Sequence, residues 1–131
     1  MTRKYFDGRI EELQPNEIFV FGSNLAGIHG AGAARTAMQC FGAVFGRGIG
    51  RTGKCYAIPT KDEDIQTMPT QKIGTFVDVF VEYARFNPDK LFYVTQIGCG
   101  LAGHSPRDIA PMFKRAPSNC VFDEEWRKYL D

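Results

Sequence analysis

Two glycine-rich stretches hold most of the residues in this chain that are suited to chemistry. The first, Phe21-Gly-Ser-Asn-Leu-Ala-Gly-Ile-His-Gly-Ala-Gly-Ala-Ala34, carries four glycines together with Ser23, Asn24 and His29. The second, Gln96-Ile-Gly-Cys-Gly-Leu-Ala-Gly-His104, carries three glycines around Cys99. Each follows an apolar run and opens into a stretch compatible with a helix. Such a junction aims several backbone N–H groups at one spot. The first N–H groups of a helix have no internal acceptor, and the helix dipole is positive there. Glycine also lets a ligand reach the backbone with no Cβ in the way. The chemistry implied is anion binding by main-chain amides. Gly22, Ser23, Asn24, Gly30, Ala31 and Gly32 are the candidate contacts in the first stretch. Gly98, Cys99, Gly100, Leu101, Ala102 and Gly103 are those in the second. The first stretch has neither the GxGxxG spacing of dinucleotide-binding folds nor the GxxxxGK[ST] spacing of phosphate loops.

Four side chains extend this chemistry. Asn24, at a strand end, offers a donor and an acceptor to a sugar diol, or closes a turn on its own backbone. His29 sits inside the first loop and is a candidate acid or base, with a hydrogen-bonding role at the loop tip as the alternative. Asp62 opens the acidic run Asp62-Glu-Asp64 after the second strand. It either orients water for hydrolysis at an anomeric carbon or belongs to a solvated loop. Cys99 is a candidate nucleophile that lacks a provable base, so a small apolar residue facing the core is the simpler reading. The segment from Gly42 to Gly53 interleaves four glycines after Gly42 with Arg47 and Arg51, and Lys54 follows it. Such a segment can fold over a ligand and bring cations to a phosphate, with Phe41 or Phe45 stacking on a base.

The elements that must position these residues follow from periodicity. Glu17 to Phe21 reads as a strand buried on both faces, and Ala31 to Phe41 as a helix whose Ala33, Ala34 and Ala37 pack closely on a sheet. Cys55 to Ile58 is a second strand ended by Pro59. Ile73, Phe76, Val77, Phe80, Val81 and Ala84 form the stripe of a helix capped by Thr70 and stopped by Asn87-Pro88. Leu91 to Thr95 is a third strand. Ser105-Pro-Arg-Asp108 opens a helix that runs to about Arg115. Asn119 to Phe122 is a fourth strand, and Asp123 caps a last helix with Phe122, Trp126 and Leu130 on one face. Alternating strands and helices predict an α/β domain with a mostly parallel central sheet flanked by helices. Ligands of such sheets sit beyond the carboxyl ends of the strands. Both glycine loops leave such ends, so they are expected on one rim although about seventy residues separate them.

The totals narrow the function classes. A chain of 131 residues is expected to form one domain spanning 1–131. A net charge of +1 supplies no global field for nucleic acid or an anionic membrane. The four cysteines are far apart, with no metal-ligand spacing, which points to free thiols in a reducing, cytoplasmic compartment and to no metal or cofactor. The N-terminus has no signal-peptide core, and no apolar run approaches the length of a membrane span.

In order and spacing, the two loops resemble those of the macrodomain family, which binds ADP-ribose and related nucleotides. Asp7-Gly8-Arg9-Ile10, the strand Ile18 to Phe21, Ser23-Asn24 and His29-Gly-Ala-Gly-Ala-Ala34 follow the family's first half. Gly98-Cys-Gly-Leu-Ala-Gly103 is similar to its second ligand loop. The wording Phe-Gly-Ser-Asn-Leu-Ala-Gly is similar to small macro-like proteins of phages and prophages. The resemblance covers roughly residues 7 to 113. It implies a three-layer macrodomain-like fold and a small-molecule nucleotide partner. It also implies a distal-ribose contact at Asn24 and a diphosphate held by the second loop. Asp7, separated from Ile10 by Gly8 and Arg9, stands near the position of the family's adenine-contacting acid. The function expected is binding of an ADP-ribose-type nucleotide, with hydrolysis of an ADP-ribosyl bond or a ribose phosphate by Asn24, His29 and Asp62. The alternative is a non-catalytic reader or sequestering module.

Overall fold

The computed structural model describes residues 3–131. Met1 and Thr2, part of the N-terminus read above as no signal peptide, lie outside the described residues. The strands are β1 (Lys4–Phe6), β2 (Glu17–Asn24), β3 (Gly50–Thr52), β4 (Cys55–Lys61), β5 (Leu91–Val94) and β6 (Cys120–Asp123). The α-helices are α1 (Gly32–Cys40), α2 (Thr70–Arg85), α3 (Pro106–Ile109) and α4 (Arg127–Leu130). The strands form one six-stranded sheet in the order β1-β6-β5-β2-β4-β3. Every neighbouring pair is parallel except β3 with β4.

The sheet is covered on both faces because its central strands are apolar on both. In β2, Ile18 and Val20 join one hydrophobic cluster while Phe19 and Phe21 join another. In β4, Tyr56 and Ile58 divide from Cys55 and Ala57 in the same way. The larger cluster takes the expected α2 stripe of Ile73, Val77, Phe80, Val81 and Ala84, together with Phe113 and Trp126. The smaller one takes Ala34, Ala37 and Phe41 from α1 and its end. Successive strand residues point to opposite faces, so a continuous apolar run is what a doubly covered strand needs. The result is the expected three-layer α/β arrangement.

Several expectations about element ends are corrected. The strands β1 and β3 are additional: both are short edge strands of mixed exposure, held by pairing with β6 and β4 rather than by an apolar pattern of their own. Pro59 does not end β4, which runs on to Lys61. β3 pairs only with residues 55–57 and pairing on that side resumes only with Thr60 and Lys61, so Pro59 falls in an unpaired gap of β4, where a missing N–H is tolerated. Thr70 is the first residue of α2, and Pro69 takes the cap position. The helix opened by Ser105 leaves α geometry after Ile109 and finishes as a 3-10 turn over Ala110–Phe113, because Pro111 has no N–H to give. Asp123 caps the final turn as expected, its Oδ1 accepting from the Glu125 N–H at 2.9 Å. No helix among the described residues is long and apolar enough to cross a membrane.

Candidate functional site

The chain runs from β2 to β4 on one side and later returns to β5 on the other. This reversal places a crevice over the carboxyl ends of β2 and β5, the usual ligand position in such a sheet. The first glycine loop leaves β2 at Asn24. The Asn24 side chain closes that loop on itself: Nδ2 donates to the Ile28 carbonyl at 2.8 Å, and Oδ1 accepts from the Ile28 N–H at 3.0 Å. One hydrogen of Nδ2 and one lone pair of Oδ1 are left over for a ligand.

Residues 42–49 support this loop from behind. The Gly46 N–H donates to the Gly27 carbonyl at 2.9 Å, and the Ser23 hydroxyl donates to the Gly48 carbonyl. Gly27 has φ +73°, and a Cβ there would overlap the peptide between Gly46 and Arg47. His29 is buried, its ring edge-on to Phe21. Its Nε2 lies 3.0 Å from the Val44 carbonyl and 3.1 Å from that of Arg47. Carbonyls only accept, so Nε2 carries the hydrogen and donates it. His29 thus takes the hydrogen-bonding role named as the alternative to acid–base work: it pins the loop to the segment behind it and is not on the cleft wall. The glycine-rich segment likewise backs the loop and lies off the cleft wall. Phe41 is in the core and Phe45 is in solvent. Lys54 Nζ donates to the Leu13 carbonyl at 3.0 Å and Arg51 Nε to that of Gly53 at 3.1 Å, while Arg47 is absent from the wall.

The second loop follows β5. The Thr95 hydroxyl fixes its start by donating to the Val20 carbonyl at 2.7 Å. The hairpin tip after β4 clasps its far side: the Thr67 hydroxyl donates to the Ala102 carbonyl at 3.0 Å, and His104 Nε2 to that of Met68 at 2.8 Å. Asp62 folds into that tip, Oδ1 accepting from the N–H groups of Asp64 at 2.8 Å and Gln66 at 3.0 Å. Its carboxylate therefore shapes the turn, and Asp62, the candidate for orienting water, is not among the residues that line the cleft.

The two loops enclose a cleft of about 690 Å³, within the range of small-molecule sites. Of the residues assigned to the ligand, only Gly103 is missing from its wall; its N–H is used in a turn to the Gly100 carbonyl at 3.0 Å. Leu101 crosses toward the first loop, its Cδ1 3.6 Å from where a Cβ on Gly32 would stand. Gly30 and Gly100 are distinctive. Neither has a positive φ, and a Cβ on either would meet nothing within 4 Å. Their backbones do not require glycine, so what their bareness keeps open is the cleft. The N–H groups of Gly30, Ala31, Gly100, Leu101 and Ala102 make no backbone hydrogen bond among the described residues. Ala31, at the cap position of α1, supplies no side-chain cap, and no acid stands in the first turn of that helix. A helix start lacking both leaves its donors and its dipole available to an anion.

Sequence reasoning missed the polar ends of the cleft. Lys61 closes it over β4, and Gln96 with Asp123 closes it over β5 and β6. Lys61 makes no ion pair among the described residues. The signal was available, since both Lys61 and Asp123 end parallel strands on the ligand rim. Placing Lys61 there required knowing that β4 continues through Pro59. Asp7, by contrast, is not on the wall.

Cys99 belongs to the cleft wall, but it packs against the larger core cluster, as expected of a small apolar residue, and is chemically quiet. Burial, helped by the Asp108 carboxylate, pushes its thiol up to about 11, although Trp126 pulls the other way. A thiol held protonated is a poor nucleophile. Cys40 is exposed, whereas Cys55 and Cys120 are buried. Brief iodoacetamide treatment of the folded protein at pH 8 is expected to label Cys40 and leave Cys99 unmodified, as read by peptide mass spectrometry. Equal labelling of the two would restore the nucleophile reading.

No protein-family model and no curated protein sequence matches the chain. Among solved structures, it is similar to one described as "Alphavirus P23pro-zbd", with a TM-score of 0.61 and 15% sequence identity. The match takes in 100% of this chain and 23% of that one, so the chain spans about a quarter of its structural neighbour's length. At that identity the likeness is one of fold, and it agrees with the three-layer α/β architecture built above.

Proposed function

We propose that this protein binds an ADP-ribose-type nucleotide in the cleft between its two glycine loops. The observation that carries this reading is the convergence of residues 22–34 and 95–102 on one cleft, with the bare faces of Gly30 and Gly100 in its wall. Unpartnered main-chain donors and an uncapped helix start suit a pyrophosphate, which accepts several hydrogen bonds at once. Asp123 and Gln96 at one end suit the amine and ring nitrogens of a base, and Asn24 has capacity left for a sugar hydroxyl. Binding of this kind relies on neutral donors, which accords with a net charge of only +1.

With His29 and Asp62 turned away from the cleft, the binding role is favoured over turnover. A second reading, hydrolysis of an ADP-ribosyl bond, retains one observation in its support: Lys61 and Asp123 are ionisable groups in the wall. A thermal-shift titration separates these readings from a purely structural role. ADP-ribose at about a hundred times its dissociation constant is expected to add roughly 2.7 kcal/mol of stability. No shift with ADP-ribose, its phosphates or NAD would remove the proposal. Chromatography after prolonged incubation of an ADP-ribosylated substrate then distinguishes a reader, which leaves it intact, from a hydrolase. Any turnover is expected to be lost in Lys61→Ala or Asp123→Asn.

A further inference from the structure

The hairpin tip after β4 holds the one described non-glycine residue with a positive φ, Ile65 at +60°. A β-branched side chain is the least suited of all to that conformation, which turns normally give to glycine or asparagine. The turn enforces it. The Asp62 N–H donates to the Gln66 carbonyl at 2.8 Å, the Ile65 N–H donates to the Asp62 carbonyl at 3.1 Å, and Lys61 bridges to Thr67. The strain has no return in folding, because Ile65 belongs to neither hydrophobic cluster and is 37% exposed. It is also the only apolar residue between Lys61 and Thr67. Ile65 lines the cleft together with Lys61, across the sheet from Asp123. Strained residues of this kind persist where the surroundings hold them for a purpose other than stability.

We propose that Ile65 is a specificity-determining residue, held in a strained turn so that its aliphatic side chain packs against the apolar face of the ligand's distal sugar. This rests on the nucleotide reading above. With the pyrophosphate between the glycine loops and the base toward Asp123, the group beyond the second phosphate falls at the β4 end. ADP ends before that point and ADP-ribose does not.

The test is calorimetric titration of wild type, Ile65→Asn and Ile65→Val with ADP-ribose and with ADP, beside thermal melts of each protein. Asparagine tolerates a positive φ and removes the aliphatic contact. Ile65→Asn is expected to melt at or above the wild-type temperature, to lose about tenfold in ADP-ribose affinity and to bind ADP as wild type does. Ile65→Val is expected to keep the ADP-ribose affinity to within about twofold. The inference is overturned if Ile65→Asn binds ADP-ribose as well as wild type does, or weakens ADP equally. A wild-type protein that binds neither compound overturns this inference and the nucleotide reading together.

Discussion

Gly100→Leu is expected to lose ADP-ribose affinity by about a hundredfold, or ~2.7 kcal/mol, while melting within about 2 °C of wild type. The two parts of that result have separate causes. Gly100 has no positive φ and no neighbour within 4 Å of an added Cβ, so the fold tolerates a side chain there. The same empty space belongs to the cleft wall, so a leucine would occupy the path by which a phosphate reaches the free N–H groups of residues 100–102. Gly30→Leu is expected to behave alike from the opposite loop, for the same reasons. Isothermal titration and a thermal melt of each variant provide the check. Either variant binding ADP-ribose with the wild-type dissociation constant would place the site elsewhere.

The opposite pattern is expected of Gly48→Ala, which should cost ~3 kcal/mol or more and lower the melting temperature by roughly 10 °C. Gly48 is not in a left-handed conformation; its constraint is proximity. A Cβ there would overlap the carbonyl group of Asn24, a backbone that has nowhere to move because β4 flanks it on the other side. Gly48 also accepts the Ser23 hydroxyl, so displacing the segment breaks a buried hydrogen bond as well. Residues 42–49 hold the first loop in place, and the loss of stability should therefore be accompanied by weaker nucleotide binding. A thermal melt decides the matter: a Gly48→Ala protein melting within about 2 °C of wild type would show that this segment is not the loop's support.

The contrast among glycines shows what was legible in the sequence. Glycines clustered after two apolar runs predicted two loops at strand ends, and both are there. The pattern alone did not separate Gly27 and Gly48, which are required by close backbone approach, from Gly30 and Gly100, which face open space. Glycine is one residue type with several physical uses, and only the neighbours reveal which use applies. The same holds for the charged residues. Asp62 opens the acidic run after β4, yet its carboxylate satisfies two backbone N–H groups of its own turn. Lys61, one position earlier, lines the cleft instead.

Taken alone, the sequence determined the doubly covered central strands, the amphipathic α2, the caps at Ser105 and Asp123, and the convergence of both glycine loops on one rim. These follow from local periodicity, and in a parallel sheet every strand carries its carboxyl end to the same edge. Tertiary structure decided that His29 is a brace, that residues 42–49 lie behind the first loop, and that Lys61, Ile65 and Asp123 complete the cleft. The physical reason is that a loop side chain points where distant backbone donors and acceptors allow it, and His29 takes its direction from carbonyls 15 and 18 residues away.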